Sequence, residues 1–148
     1  MVPAKISDWF NVLKNYEQYI NEDTILIGHS LGGIFTLRIL EALTHPVKAV
    51  FFIGTPIGIR PIANYDRDNS FSSFLFNWDT IKNKAKHFTV FQSDDDPYVG
   101  LENGKELARI LNVELSFVPH AGHFNKKAGY VKFEKLRDKL LEILKETR

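Results

Sequence analysis

Apolar residues recur along the chain in two kinds of run, which predict four strands and four helices. The short, nearly continuous apolar runs predict strands at residues 24–27, 47–53, 87–91 and 113–118. Apolar positions three or four apart predict helices at residues 8–20, 34–43, 101–111 and 131–144. Because strands that are apolar on both faces alternate with helices, we expect an α/β fold, a three-layer sandwich around a mostly parallel sheet.

Residues 57–86 are the one long stretch without a clear period. A connection of this length in a small domain is usually functional or contains short helices of its own. One interpretation is a lid or pocket wall whose aromatic residues, Phe71, Phe74 and Trp78, contact a substrate. The other interpretation is a short amphipathic helix that packs on the sheet, and the two are compatible.

The composition is that of a single globular domain over residues 1–148, with 44% hydrophobic and 25% charged residues. A net charge of +1 argues against binding to nucleic acid or to an anionic membrane. The chain has no cysteine, which excludes disulfides and thiol catalysis. No apolar run approaches the roughly 20 residues of a membrane span, so we expect no membrane association and a cytoplasmic location.

The stretch at residues 28–33 (GHSLGG) lies between a predicted strand and a predicted helix. This is the G-x-S-x-G pattern in the strand–turn–helix context of a nucleophile elbow, which makes Ser30 the candidate nucleophile and the Leu31 N–H a candidate oxyanion donor. We expect a Cβ at Gly28 or Gly32 to collide with neighbouring backbone. A turn without chemistry and a phosphate-binding loop are the alternatives, but the latter requires a G-x-x-x-x-G-K-[ST] spacing that is absent here.

A serine nucleophile needs a base and a group that orients the base. In parallel sheets that carry a nucleophile elbow, these residues follow one another along the chain in the order serine, acid, histidine. The third predicted strand ends near three aspartates at residues 94–96. Since three adjacent carboxylates repel one another, we expect two of them to face solvent or cap a turn. Asp96 is the preferred acid because it stands in an Asp-x-x-Val sequence before Pro97, and Asp95 is the alternative.

The candidate base lies in the loop after the fourth predicted strand, which contains His120 and His123. Gly122 directly precedes His123 and permits a close approach of the backbone, so His123 is preferred and His120 is interpreted as a loop residue. The remaining histidines are interpreted as packing or structural residues: His29, His45 and His87.

Residues 28–33 (GHSLGG), 93–99 (SDDDPYV) and 122–124 (GHF) resemble the small single-domain serine hydrolases related to retinoblastoma-binding protein nine. The resemblance covers essentially the whole chain, including the helix before the elbow. It implies an α/β-hydrolase fold and hydrolysis of small esters or amides, with Ser30 as nucleophile, Asp96 as the orienting acid and His123 as base.

The chain departs from that family at its beginning, where members have a strand that ends in a His-Gly loop carrying a second oxyanion donor. Nothing in this sequence matches that segment, so we expect an N-terminally shortened hydrolase fold whose serine strand is a sheet edge. Three hypotheses follow: a fragment of a longer hydrolase, a homo-oligomer that pairs its exposed edge, or a chain with impaired catalysis.

The preferred hypothesis is an esterase-type serine hydrolase that forms an acyl-enzyme with a small ester or amide substrate. The histidines and carboxylates show no metal-ligand spacing, so we expect neither a metal nor an organic cofactor. The alternative from another class is a catalytically impaired hydrolase-fold protein that acts as a binding module. An acyltransferase or thioesterase using the same three residues stays open.

Overall fold

Four parallel strands form the sheet in the computed structural model, which describes residues 5–64 and 70–146. They are β1 (Ile25–His29), β2 (Val47–Ile53), β3 (Ala85–Gln92) and β4 (Leu115–Phe117), and they lie side by side in chain order. The predicted strands are confirmed, with ends that differ by a few residues. Because parallel strands all end at the same edge of a sheet, the segments that follow β1, β2, β3 and β4 meet at one edge.

The described residues form five α-helices around the sheet: α1 (Ile6–Leu13), α2 (Leu31–Ala42), α3 (Trp78–Lys82), α4 (Leu101–Ile110) and α5 (Glu134–Lys145). Helix α1 packs on α2 through Trp9, Phe10 and Phe35. The helix predicted at residues 8–20 is shorter than expected, since α1 ends at Leu13 and only a 3-10 turn at Glu17–Tyr19 follows. Tyr16 and Tyr19 are more than half exposed, so this part has little apolar face to bury against the protein.

The apolar core lies on both faces of the sheet, and β2 contributes to each. Val50 and Phe52 face the cluster formed with α2 and α4, whereas Phe51 and Ile53 face the cluster that includes Ile143 of α5. This alternation follows from the two-residue period of a strand. The three-layer α/β sandwich expected from the sequence is therefore confirmed.

The connection at residues 57–86 contains a short helix, α3, and otherwise irregular backbone, and its residues 65–69 lie outside the described part. Asn77 caps α3 by accepting a hydrogen bond from the Thr80 N–H at 3.0 Å, and Ile81 is fully buried in the core. A short helix that packs on the sheet is thus present. Within the described residues, none of the helices is long and apolar enough to cross a membrane.

Strand β1 forms one edge of the described sheet, as expected, and pairs there with β2. The expectation from its sequence that it is buried on both faces is wrong for Ile27, which is 50% exposed. The side chains of a strand point to the two faces of the sheet, so Ile27 lies on a face that the described helices leave partly uncovered, which the sequence pattern alone does not reveal.

Candidate active site

Ser30 lies at the sharp turn between the end of β1 and the start of α2. Its φ of 55° and ψ of −121° are unusual for a residue with a Cβ and store backbone strain. The Ser30 N–H donates to the Ile53 carbonyl at 2.9 Å, and the Ser30 carbonyl accepts from the Gly33 N–H at 2.9 Å. These bonds fix the strained turn between the ends of β1 and β2.

The glycines of the elbow differ in what they do. A Cβ on Gly28 would lie 2.7 Å from the Gly32 carbonyl oxygen, which confirms the expected collision there. The same expectation is wrong for Gly32, where a Cβ would meet nothing within 4 Å. Instead, a Cβ on Gly33 would lie 2.0 Å from Thr55 Oγ1. The third glycine of GHSLGG therefore lets α2 approach the segment after β2, a role that the sequence analysis missed.

The imidazole of His123 is hydrogen-bonded to the carboxylate of Asp96, with 2.7 Å between Nδ1 and Oδ2. Their side chains are 9% and 1% exposed. The other oxygen of Asp96 accepts the N–H groups of Tyr98 and Val99 at 2.8 and 3.0 Å, which fixes the carboxylate in its turn. Because a carboxylate accepts at Nδ1, the proton of a neutral imidazole belongs on Nδ1, and Nε2 is left as an acceptor.

The other two aspartates hold the histidine loop. Asp94 Oδ1 accepts the N–H of His120 at 2.8 Å, and Asp95 Oδ1 accepts the N–H of Gly122 at 2.8 Å. The hydrogen bond from His120 also holds the pKa of Asp94 below its ordinary value. As expected, both carboxylates are partly open to solvent, and it is Asp96 rather than Asp95 that pairs with His123.

Left-handed backbone shapes the loop that carries His123. The φ angles of His120, Gly122 and Phe124 are 55°, 53° and 50°. A Cβ on Gly122 would lie 2.9 Å from Ala128 Cβ, so the glycine before the histidine does permit a close approach. The buried Ser93 hydroxyl donates to the Gly122 carbonyl at 2.5 Å and ties this loop to the end of β3.

His120 itself is 83% exposed, with Nδ1 4.0 Å from carboxylate oxygens of both Asp94 and Asp95. Among the described residues, these three form the histidine and carboxylate cluster whose ligand atoms lie close enough to share a cation, within 4.8 Å of one another. The Oδ1 atoms of both aspartates already accept loop N–H groups. These hydrogen bonds explain why the two aspartates lie together beside the histidine loop: they hold its backbone.

His29 lies directly against the candidate base. Its Nε2 donates to the His123 carbonyl oxygen at 2.7 Å, and the two ring centroids are 4.6 Å apart. Partial burial lowers the pKa of His29, which favours the neutral ring. The two remaining histidines make contacts away from this loop, His45 with its neighbour Pro46 and His87 with Glu146.

Gly54, which follows β2, is a further residue of the site that the sequence analysis missed. It has a φ of 52°, and a Cβ on it would lie 3.2 Å from Asp96 Oδ2 and 3.3 Å from His123 Nδ1. A side chain here would press on the Asp96–His123 hydrogen bond. Its sequence signal was its place directly after a buried strand, at the edge where the other site residues meet.

A cavity of about 320 Å³ opens at this edge of the sheet. Ser30, Leu31 and His123 line it together with Phe71 and Phe74. As the first residue of α2, Leu31 has an N–H without a partner inside the helix. Tyr98 also lines the cavity and meets the His123 ring edge-on at 4.9 Å.

Trp78 does not take the position that the sequence analysis gave it. Its ring lies 5.0 Å from that of Phe76, and it packs against the core cluster beneath α2 and α4 rather than lining the cavity. The first turn of α3 turns this side chain inward, so aromatic residues that are close in sequence point to different places. Phe71 and Phe74 remain the candidate substrate contacts of that segment.

Comparison with known proteins places the chain in a family. The family model described as serine hydrolase matches residues 1–142. The chain is 30% identical over 145 residues to YdeN of Bacillus subtilis (strain 168), covering 97% of this chain and 76% of YdeN. It is 31% identical over 123 residues to the serine hydrolase RBBP9 of Rattus norvegicus, covering 83% of this chain and 64% of the rat protein, slightly less than two thirds of its length.

Solved structures agree with the fold. The crystal structure of the ydeN gene product from B. subtilis superposes with a TM-score of 0.88 at 28% identity, covering 97% of this chain and 77% of that one. The serine hydrolase CCSP0084 from Cycloclasticus zankles superposes with a TM-score of 0.70 at 15% identity, covering 96% of this chain and 71% of that one, which supports the fold alone.

These matches confirm the resemblance found in the sequence and do not favour the alternative of a non-catalytic binding module. The parallel sheet, the strained serine turn and the family model agree with one another. The chain has the α/β-hydrolase fold, belongs to the serine hydrolase family and is an enzyme of the hydrolase type.

Proposed function

We propose that the chain is an esterase-type serine hydrolase that cleaves small esters or amides through an acyl-enzyme. Ser30 is the nucleophile, His123 the general base and Asp96 the residue that orients it. The observation that supports this most is the buried 2.7 Å hydrogen bond between Asp96 and His123, because its imidazole lines the same cavity as the strained Ser30. A base that is oriented by a buried carboxylate beside a serine is the arrangement that acyl transfer requires.

In the first half-reaction, Ser30 Oγ attacks the substrate carbonyl carbon while His123 Nε2 takes the hydroxyl proton. Asp96 stabilises the imidazolium that forms. The tetrahedral oxyanion lies at the start of α2, where the Leu31 N–H and the positive end of the helix dipole favour negative charge. When the carbon–oxygen or carbon–nitrogen bond breaks, His123 returns its proton to the leaving alcohol or amine.

In the second half-reaction, His123 takes a proton from a water molecule that attacks the acyl group on Ser30. The new tetrahedral intermediate collapses, the proton returns to Ser30 Oγ, and the carboxylic acid product leaves. Phe71 and Phe74 supply apolar surface for the substrate at the cavity wall.

A fluorophosphonate probe tests the nucleophile, since it reacts with activated serines. We expect the wild-type chain to be labelled on the peptide that contains Ser30, and Ser30→Ala to lose the label. Ser7→Ala is the matched control, because Ser7 lies exposed in α1 and should leave labelling as in wild type. Unlabelled wild-type protein, or labelling that survives in Ser30→Ala, would refute the proposal.

Hydrolysis of p-nitrophenyl acetate tests the acid. Loss of the orienting carboxylate in a well-studied serine protease lowers kcat by about 10⁴-fold, so we expect Asp96→Asn to lose about 10³- to 10⁴-fold. Asp95→Asn is the control, since it makes the same change of charge beside the loop but leaves the partner of His123 in place, and we expect it to lose far less. Equal losses in the two variants would contradict the assignment of Asp96.

A further inference from the structure

An ion pair on the outer side of α2 contacts the segment that forms one wall of the cavity. Arg38 and Glu41 lie three residues apart, with 2.9 Å between Arg38 Nη1 and Glu41 Oε2, and each side chain is about one fifth exposed. We define the aromatic wall as residues 70–77, which include Phe71 and Phe74 of the cavity lining.

The ion pair binds the backbone of the aromatic wall at three positions. Arg38 donates to the carbonyl oxygens of Ser73 and Leu75, the latter at 2.9 Å. Glu41 Oε1 accepts the N–H of Asn77 at 2.7 Å. The Arg38 guanidinium also lies 4.3 Å from the centre of the Phe76 ring. Charge-assisted hydrogen bonds to two carbonyls and one N–H fix the backbone on both sides of Phe74.

Phe74 is confined from its other side as well. Gly58 has a φ of 100°, and a Cβ on it would lie 2.8 Å from Phe74 Cβ and 2.9 Å from Cγ. The side chain of Phe74 therefore fits against bare backbone, while its neighbours on the chain are held by Arg38. The Phe74 ring is therefore held at the cavity from two sides, by the hydrogen bonds of Arg38 and by the backbone of Gly58.

The described lining of the cavity is uncharged, with polar groups near Ser30 and His123 and apolar side chains around the Phe74 ring. Among the described residues of its lining there is no Asp, Glu, Lys or Arg, and Ile34, Phe71 and Val99 lie there with Phe74. Burying a charged acyl group against such a surface without a partner is costly, whereas burying apolar surface is favourable.

We infer that the Arg38–Glu41 pair determines specificity by fixing the aromatic wall, and that the cavity takes uncharged apolar acyl groups long enough to reach Phe74. This inference rests on the proposed function. Arg38 is a positioning residue, since it contacts the wall and acts on a substrate only through Phe74. When the aromatic wall is no longer held on α2, Phe74 loses contacts with a long acyl chain. An acetyl group is too short to reach Phe74 and is affected less.

The experiment compares p-nitrophenyl octanoate with p-nitrophenyl acetate in wild type, Arg38→Met, Arg38→Lys and Arg109→Met. Arg109 is the matched control, because it forms an ion pair with Glu106 at the same spacing of three residues, on an exposed face of α4. We expect the octanoate-to-acetate ratio of kcat/KM to fall about fivefold in Arg38→Met, mainly through KM, and less in Arg38→Lys. The ratio in Arg109→Met stays at the wild-type value.

Amide hydrogen exchange supplies a readout that needs no turnover. We expect faster exchange at residues 70–77 in Arg38→Met and wild-type exchange there in Arg109→Met. An unchanged ester ratio, an equal loss on both esters, or unchanged exchange in an active Arg38→Met would overturn the inference and leave the proposed function standing. A wild-type chain that neither hydrolyses an ester nor labels at Ser30 would refute the proposed function and this inference together.

Discussion

The imidazole of His29 lies 4.6 Å from that of His123 and donates a hydrogen bond to the backbone of the same residue. Partial burial lowers the pKa of His29 from its ordinary 6.5, so the folded chain holds this proton less tightly than the unfolded chain does. Its contribution to stability is therefore fully present above about pH 6.5 and is lost as the pH falls toward the lowered pKa. His29 therefore gives the stability of the fold a pH dependence at a position next to the candidate base.

We predict that His29→Gln weakens this pH dependence. The glutamine amide offers an N–H donor for the His123 carbonyl but does not titrate. Between pH 7.5 and 5.5, the free energy of unfolding should fall more steeply in wild type than in the variant, as measured by urea unfolding at each pH. The lowered pKa of Asp94 does not interfere, since its contribution is lost only below its ordinary value of 3.8. Parallel curves for the two proteins would contradict the prediction.

At the scale of elements, the approach of α2 to the segment after β2 depends on Gly33. This helix carries both the Ser30 turn and the anchor of the aromatic wall, so its distance from the sheet affects two parts of the site. The close approach is made possible by the absence of a side chain at Gly33, beside Thr55. The neighbouring Gly32 faces open space instead.

We predict opposite effects for alanine at these two neighbouring positions. Gly33→Ala places a Cβ 2.0 Å from Thr55 Oγ1 and should destabilise the fold by about 1–3 kcal/mol through overpacking. Gly32→Ala meets no atom within 4 Å and should be neutral or stabilise by up to about 1 kcal/mol, because alanine favours a helix more than glycine does. Urea unfolding of both variants measures the difference, and a larger loss in Gly32→Ala would show that the packing of α2 is understood wrongly.

Much of the element scale could be predicted from sequence, whereas contacts between distant elements could not. The spacing of the apolar residues predicted both ends of β2 and the start of α4 at Leu101 as the structure has them. The pairing of residues 94–96 with the histidine loop could not be read in this way, since it depends on how the ends of β3 and β4 align across the sheet. Trp78 was misplaced for the same reason, because the direction of its side chain follows from α3 packing on the core.

At the scale of the whole molecule, β1 is an edge strand of the described sheet and carries an exposed apolar side chain. Ile27 is 50% exposed there, and a cavity of about 380 Å³ on the surface of α1 is lined by apolar and aromatic side chains such as Trp9 and Val12. Exposed edge strands with apolar side chains favour pairing with another chain. The homo-oligomer expected from the sequence stays a prediction.

We predict that the chain self-associates through β1 and that Ile27→Lys prevents this, because a lysine on an edge strand opposes pairing. Size-exclusion chromatography with light scattering should give a mass above 17.0 kDa for wild type and the monomer mass for the variant. Phe117→Lys is the control, since Phe117 is similarly exposed, at 44%, on β4 at the opposite edge. Wild-type protein that is monomeric at every concentration would rule out pairing through β1.

The sequence by itself determined the alternation of strands and helices, the strained turn at Ser30 and the order of serine, aspartate and histidine along the chain. These features are local, because a strand or helix period and a glycine-flanked turn are encoded within a few neighbouring residues. The tertiary structure decided which aspartate contacts His123 and which aromatic residues line the cavity. It also decided that a side chain at Gly33 or Gly54 would press on neighbouring atoms. Each of these depends on distances between residues far apart in the chain, which exist only once the helices have packed on the sheet.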